Sequence, residues 1–201
     1  RLPKKNYINF NGKPMIEWVI DSCRESNLFD LIHISTNCKE VLKIANSKKL
    51  LPQFIRPKRL CGDNVGLLEV IEYVSNHYKK ENNIFDEIWC ILPCNPLLVK
   101  EDLISASNYI KEEFTEAPYK LLSVIPYSQP PQWALVLNEK KFLSPLYRDM
   151  MHVRSQDLKE TYADSGTFIV FSSDLIYKKE SKNFPFKAFQ LDPLRFVDVD
   201  N

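Results

Sequence analysis

The chain has 201 residues, of which 44% are hydrophobic and 26% are charged, and this composition is typical of one globular domain rather than a disordered chain. Its 27 Lys and Arg residues against 26 Asp and Glu residues give a net charge of +1, so no overall positive field favours a nucleic-acid-binding protein. The 4 glycines are too few and too scattered for a G-x-G-x-x-G fingerprint or a complete P-loop, which excludes these two phosphate-binding motifs within the stretch.

The cysteines and the hydropathy pattern indicate the compartment. The number of cysteines, 5, is odd, and no C-x-x-C pair occurs, which favours free thiols in a reducing environment. No apolar run approaches the roughly 20 residues of a membrane span, and no signal peptide is visible. We therefore expect a cytoplasmic protein that does not contact the membrane.

Strands and helices alternate along the chain. Pro14 is well placed to start a helix, and apolar residues at helical spacing follow it. In chain order, the later predicted elements are a strand at 31–36, a helix at 40–50, a strand at 54–55, a helix at 67–78, a strand at 87–92, a helix at 101–114, and strands at 121–126, 166–171 and 196–200. This alternation predicts an α/β fold with a mainly parallel central sheet. The less regular stretch at 129–158 is expected to form an excursion from that sheet.

The motif Asp198-Val199-Asp200 is the sharpest local feature of the sequence. In an extended chain, residues two apart project to the same face, and two carboxylates so placed can share a hard divalent ion such as Mg²⁺. The same pattern also occurs on solvated turns. Metal binding and a surface turn therefore both remain open at this point.

Several cations and one strand end are further candidates. Arg1, Lys5 and Arg56 could neutralise a polyphosphate, with a solvated terminus and an exposed loop as the alternative interpretations. Arg154 lies in the irregular stretch, where a surface loop is the alternative. Residues 93–96 follow the most apolar strand, and ligands of open α/β sheets gather outside the carboxyl ends of strands. No nucleophile motif is present.

Taken together, these motifs resemble the cytidylyltransferases that activate nonulosonic (sialic-acid-like) sugars. The family's motifs appear in the expected order over essentially the whole chain, and those that carry the resemblance are Arg1-Leu-Pro-Lys-Lys-Asn6, Gly12-Lys-Pro-Met15, Ile55-Arg-Pro-Lys58, Leu92-Pro-Cys-Asn-Pro-Leu97, Arg154-Ser-Gln-Asp-Leu158 with Tyr162-Ala-Asp-Ser-Gly-Thr-Phe168, and Asp198-Val-Asp200. The Arg154–Leu158 and Tyr162–Phe168 segments are closest to the pseudaminic acid branch.

The resemblance implies a single nucleotidyltransferase domain over residues 1–201, with the three-layer fold of the nucleotide-diphospho-sugar transferases. The excursion at 129–158 is then expected to support a homodimer. In the family, a G-G-S-K type segment lies just before the position of Arg1, so we expect the N-terminal nucleotide loop to be incomplete in this stretch.

The resemblance also implies a reaction and roles for individual residues. The anomeric hydroxyl of a nine-carbon sugar acid would attack the α-phosphorus of CTP and release pyrophosphate, in the synthesis of surface glycans. The implied catalytic residues are Lys5, Asp198 and Asp200, the last two holding Mg²⁺. The implied nucleotide contacts are Arg1, Lys5, Asn6, Arg56 and Pro93. The implied sugar contacts are Leu92, Asn95, Arg154, Gln156 and Asp164.

Some positions depart from the family pattern, and other functions remain open. Leu92 stands where sialic acid synthetases usually have a sugar-contacting glutamine, and Cys94-Asn95 replaces the more usual small or hydroxyl pair. These departures concern the identity of the sugar more than the reaction. The alternatives are a cytidylyltransferase for the eight-carbon acid KDO, a non-catalytic nucleotide-binding or sugar-binding module on the same fold, and a generic α/β domain whose charged motifs are solvated surface.

Overall fold

The computed structural model describes residues 4–62, 64–115 and 118–195. The helices in these ranges are α1 (Met15–Ser26), α2 (Lys39–Ser47), α3 (Leu67–Lys80), α4 (Lys100–Glu113) and α5 (Ser173–Tyr177). The strands are β1 (Asn9–Phe10), β2 (Lys13–Pro14), β3 (Glu87–Ile91), β4 (Lys120–Pro126), β5 (Leu135–Leu137), β6 (Leu143–Pro145), β7 (Tyr162–Ser172) and β8 (Lys187–Gln190). The four predicted helices are therefore confirmed, and the predicted strand at 196–200 lies outside the described residues.

The main sheet has the strand order β3-β7-β4-β8. Strand β7 is antiparallel to both of its neighbours, and β8 is parallel to β4. Three of the four strands (β3, β4 and β8) therefore run in one direction, and β7 inserts between two of them in the opposite direction. The prediction of a mainly parallel α/β sheet is confirmed in strand direction, although the hydrogen-bonded pairing is mixed.

Helices cover both faces of the sheet. Since successive side chains of a strand point to opposite faces, each central strand can pack against both helix layers. On one face, α1 and α4 form a buried cluster that Trp89, Phe168 and Val170 complete from the sheet. On the other face, α3 and α5 pack against Ile88 and Phe171. The alternation along β3 and β7 thus supplies two apolar surfaces and produces three layers.

Two predicted strands are not strands in the structure. Residues 31–36 and 54–55 have no ladder partner among the described residues. The residues at 31–36 lie across a cavity of about 740 Å³ from β3. The apolar pattern of residues 31–36 therefore indicated partial burial correctly. A strand also requires backbone hydrogen bonds to a neighbouring strand, and the cavity separates residues 31–36 from β3.

The stretch at 129–158 lies outside the main sheet and forms a two-stranded sheet of its own from β5 and β6. The indole N–H of Trp133 donates to the carbonyl oxygens of Met150 and Val153 at 3.2 and 3.1 Å, which holds the stretch together. Within the described ranges, no helix has the length and apolar character that crossing a bilayer requires.

His33 lies between the aromatic rings of Phe54 and Tyr78. Its Nδ1 is 3.0 Å from the hydroxyl oxygen of Tyr78. Burial lowers the pKa of His33 from 6.5 to about 4, and the nearby charge of Arg56 acts in the same direction. His33 is therefore part of a partly buried aromatic cluster.

The low pKa of His33 predicts a dependence of stability on pH. Between pH 4 and 6.5 the unfolded chain binds a proton that the folded chain does not, so this contribution to stability is fully present above pH 6.5 and is lost as the pH falls towards 4. We expect the free energy of unfolding of a His33→Phe variant, measured by urea denaturation, to fall less steeply over this range than that of the wild type. Identical slopes for the two proteins would contradict the assignment.

Candidate active site

An irregular segment of β7 shapes the sheet edge where β3 ends. Pairing between β4 and β7 changes from Leu122 opposite Ile169 to Val124 opposite Asp164. Residues 165–168 of β7 therefore stand opposite Ser123 alone, and Gly166 adopts a left-handed conformation with φ of 58°. Bulges of this kind bend a strand and often occur beside active sites.

Buried hydroxyl groups stabilise this bulge from the β4 side. The Ser123 hydroxyl donates to the carbonyl oxygen of Phe168 at 2.8 Å and accepts from its N–H at 2.9 Å. The Ser165 hydroxyl donates to the carbonyl oxygen of Ser123 at 2.9 Å. Because these groups are buried, their hydrogen bonds replace the water that the bulged backbone would otherwise need.

The loop that follows β3 holds the same bulge from the other side. The N–H of Leu92 donates to the carbonyl oxygen of Thr167 at 2.8 Å, so β7 extends past the carboxyl end of β3. The Asn95 side chain, only 8% exposed, donates to the carbonyl oxygen of Gly166 at 2.8 Å. Asp164 is exposed just beyond this point, and its carboxylate accepts from the N–H of Gly166 at 2.7 Å. The structure thus brings Leu92, Asn95 and Asp164 to one edge of the sheet.

Four of the predicted site residues line one cavity. Asn6, Arg56, Leu92 and Pro93 all lie on the wall of the cavity between residues 31–36 and β3. They come from well-separated parts of the sequence: Leu92 and Pro93 directly follow β3, and Asn6 reaches the same loop through Cys94. The remainder of the wall is largely apolar and includes Ile71. Apolar side chains therefore line much of the cavity, and the charged groups Arg56, Asp30, Asp86, Glu87 and Lys111 are spread along its wall.

Arg56 is held in place by the segment that faces β3. Its backbone N–H donates to the carbonyl oxygen of Thr36 at 3.0 Å, and its Nε–H donates to the hydroxyl oxygen of Ser35 at 3.1 Å. A second guanidinium nitrogen donates to the carbonyl oxygen of Ser35. The charge of Arg56 also reaches Cys90 on β3: burial raises the pKa of that thiol to about 11, and Arg56 acts in the opposite direction. Because Arg56 is already fixed, binding an anion costs it little further side-chain conformational entropy.

The basic N-terminal segment reaches the same strand end. A short 3₁₀ turn spans Lys5–Tyr7, and Lys4 before it adopts a left-handed conformation with φ of 66°. The thiol of Cys94 donates to the side-chain oxygen of Asn6 at 3.0 Å. This contact brings Asn6, and the neighbouring Lys5, beside the loop that contains Pro93.

The remaining predicted site residues either lie in the excursion or fall outside the described residues. Arg154 and Gln156 belong to the excursion and do not line the cavity; Arg154 is 73% exposed and pairs with Asp157 at 3.1 Å. Arg1, Asp198 and Asp200 lie outside the described residues. In the part of the chain that the structure describes, no group of three or more His, Cys, Asp and Glu side chains is placed to hold a metal ion. The metal prediction on Asp198 and Asp200 therefore stays a prediction.

Several residues that shape the site were not predicted from the sequence. Ser35 orients Arg56, and Ser123, Ser165 and Thr167 support the bulge of β7. The available signal was the run of small polar residues around Gly166, inside a strand that is otherwise apolar. Such a run is typical of a bulge, but it does not identify which side chains will meet there.

Comparisons with known proteins agree with this geometry. A sequence model described as cytidylyltransferase matches residues 1–198. The pseudaminic acid cytidylyltransferase of Campylobacter jejuni subsp. jejuni serotype O:2 is 30% identical over 92% of this chain and 81% of its own length. The CMP-N,N'-diacetyllegionaminic acid synthase of Legionella pneumophila is 22% identical over 100% of this chain and 85% of its own length.

A solved structure shares the fold. The structure of CMP:2-keto-3-deoxy-manno-octonic acid synthetase complexed with CTP superposes with a TM-score of 0.65, covering 95% of this chain and 84% of the other, at 13% identity. At that identity the likeness concerns the fold alone. The fold, the convergence of the predicted residues at the end of β3, and the match over residues 1–198 lead to one conclusion: this chain belongs to the cytidylyltransferase family.

Proposed function

We propose that this protein transfers CMP from CTP to the anomeric hydroxyl of a nonulosonic acid and releases pyrophosphate. The observation that carries the proposal is that Asn6, Arg56, Leu92 and Pro93, from separate parts of the sequence, line one cavity beside β3. Relatives named as pseudaminic acid cytidylyltransferases favour pseudaminic acid as the sugar. The five cysteines form no disulfide among the described residues, and this finding and the use of CTP, an intracellular nucleotide, support a cytoplasmic location.

In this reaction the sugar hydroxyl oxygen forms a bond to the α-phosphorus of CTP while the bond from that phosphorus to the α–β bridging oxygen breaks, and this oxygen leaves as part of pyrophosphate. The hydroxyl proton is released as the new bond forms. Such a reaction needs alignment and neutralisation of phosphate charge rather than a protein nucleophile. Arg56 and Lys5 would supply positive charge to the phosphates, and Asn6 and Pro93 would contact the nucleotide.

The sugar acid would lie on the β7 side of the same strand end. Leu92, Asn95 and Asp164 are near one another there, and the exposed carboxylate of Asp164 can accept hydrogen bonds from hydroxyl or acetamido N–H groups. Arg154 and Gln156 remain proposed sugar contacts from the excursion. Asp198 and Asp200 would hold Mg²⁺, which when bound would neutralise charge on the phosphate oxygens.

A pyrophosphate-release assay tests the proposed function. The protein is supplied with CTP, Mg²⁺ and one of several acids: pseudaminic, legionaminic and N-acetylneuraminic acid, and the eight-carbon acid KDO. We expect turnover with at least one nine-carbon acid, and the highest kcat/KM with pseudaminic acid. Binding of CTP without turnover of any nine-carbon acid would instead favour a non-catalytic binding module.

We also propose that the protein is a homodimer that pairs through the excursion. Apolar side chains are exposed along β5, β6 and the loops beside them, including Leu137 at 63% and Phe142 at 68%. A two-stranded sheet is marginally stable on its own, and apolar patches of this kind are typical of interfaces between subunits. A second copy of the chain, presenting the same patch, would cover both the two-stranded sheet and the exposed apolar side chains.

Substitution of Phe142 tests the dimer. We expect Phe142→Glu to raise the dimer dissociation constant about 10-fold or more, because the interface would have to bury a charge. The matched control is Ile84→Glu, since Ile84 is 67% exposed but lies far along the chain from the excursion. Light scattering with size-exclusion chromatography measures both. A wild type that stays monomeric at micromolar concentration would contradict the proposal.

A further inference from the structure

The side chain of Asn95 connects the loop after β3 with the bulge of β7. Its side-chain N–H donates to the carbonyl oxygen of Gly166 at 2.8 Å. Its side-chain oxygen accepts from the hydroxyl of Thr167 at 3.3 Å. Both the donor and the acceptor of the amide are therefore engaged with the bulge of β7, and the side chain is buried.

The two partners of Asn95, Gly166 and Thr167, are adjacent residues of the bulge, and one of them also holds Asp164. Gly166 adopts a left-handed conformation, and its N–H donates to the Asp164 carboxylate at 2.7 Å. Because β7 is antiparallel to β3 and continues past its carboxyl end, Asp164 stands beyond Leu92 at the predicted sugar side of the site. The amide of Asn95 thus fixes the turn from which the Asp164 carboxylate projects.

The loop that carries Asn95 is itself anchored in the core. The N–H of Leu98 donates to the carbonyl oxygen of Asn95 at 3.1 Å, and the hydroxyl of Ser22 on α1 donates to the carbonyl oxygen of Leu98 at 2.7 Å. Leu98 is 3% exposed. The amide of Asn95 therefore connects the bulge to a rigid support rather than to a loose loop.

We propose that Asn95 is a positioning residue for the acceptor sugar, which holds the Asp164 carboxylate in place and does not itself contact the substrate. The proposal rests on the proposed function, because the group that donates a hydrogen bond to the Asp164 carboxylate is a hydroxyl or acetamido N–H of the sugar acid. It assigns Asn95 a role different from the direct sugar contact that its sequence motif implies.

Steady-state kinetics with CTP and the sugar acid varied separately tests this role. We expect Asn95→Ala to raise KM for the sugar acid about 5- to 10-fold and to leave KM for CTP within about twofold. Thr167→Val, which removes the weaker of the two hydrogen bonds, should have a smaller effect in the same direction, and Thr167→Ser should restore the wild-type value. A larger change in KM for CTP than for the sugar would overturn the proposal.

A double-mutant cycle separates positioning from direct contact. If Asn95 acts through Asp164, the double variant Asn95→Ala/Asp164→Asn should have the same KM for the sugar acid as Asp164→Asn alone. If Asn95 contacts the sugar, the two effects should multiply. Asn95→Asp keeps the size of the side chain but loses the N–H donor to Gly166, and it serves if Asn95→Ala does not fold.

Hydrogen exchange provides a readout that does not depend on turnover. In Asn95→Ala and in Asn95→Asp, deuterium uptake over residues 162–168 should rise, while uptake over α3 should stay as in the wild type. Unchanged uptake over 162–168 would overturn the proposal even if the protein is an active enzyme. Raised uptake in a protein that transfers no CMP would retain the structural link and refute the proposed function instead.

Discussion

Replacing Arg56 with alanine is expected to lower kcat/KM for CTP about 100-fold, the scale of loss when one preorganised charge donor is removed from an active site. The structure gives the reason: three hydrogen bonds to residues 35 and 36 hold Arg56 on the wall of the cavity that Asn6 and Pro93 also line. A fixed cation at this position can stabilise the charge that develops on the leaving pyrophosphate.

Two further variants separate the charge of Arg56 from its orientation. Arg56→Lys keeps the charge but loses the planar fork, so we expect about a 10-fold loss. Ser35→Ala keeps the guanidinium and removes one acceptor, so a loss smaller than that of Arg56→Lys is expected. Thermal denaturation shows whether each variant is folded. An Arg56→Ala protein that is folded and retains kcat/KM for CTP within threefold would contradict the nucleotide role.

Replacing Asp200 with asparagine is expected to lower kcat about 100-fold at saturating Mg²⁺, and Asp198→Asn should act in the same way. Each substitution removes one negative oxygen ligand from the proposed magnesium site and leaves the side-chain size unchanged. The measurement is the rate of pyrophosphate release as a function of Mg²⁺ concentration. The concentration of Mg²⁺ that gives half-maximal rate should also rise.

The matched control for these variants is Asp174→Asn. Asp174 is 56% exposed and pairs with Lys178 on the surface of α5, so its substitution should leave the magnesium dependence unchanged. If both Asp198→Asn and Asp200→Asn kept the full magnesium-dependent rate, the assignment of Mg²⁺ to these residues would be contradicted. Lys5 and Arg56 would then have to neutralise the phosphate charge.

The helices and the central strands could be predicted because burial imposes a period on the sequence. In α1, the buried residues Ile16, Val19, Ile20 and Cys23 lie at positions i, i+3, i+4 and i+7 of one helix face, and β3 is apolar because helices cover both of its faces. The segment at 31–36 shows the limit of this reasoning. Its pattern indicates burial, but a strand also needs a ladder partner, which periodicity does not report.

The candidate site, like the fold, could be predicted only in part from the sequence. Arg56 and Pro93 could be identified because short motifs fix their neighbours along the chain, and the structure places them on one cavity wall. The bulge of β7 could not be predicted, because it depends on contacts between residues 42 and 71 positions apart, from Ser123 to Ser165 and from Asn95 to Gly166. A motif assigns Asn95 to the site, but only the three-dimensional structure shows that its amide is already engaged.

The central claim is that the α-phosphorus of CTP is transferred to a sugar acid, and isotopic labelling tests it most directly. The protein is incubated with Mg²⁺, pseudaminic acid and CTP labelled with ³²P at the α-phosphate, and the products are separated. We predict that the label appears in a CMP-sugar in amounts equal to the pyrophosphate released. Label that remains in CTP or appears as free CMP, while every nine-carbon acid supplied stays unlabelled, would contradict it.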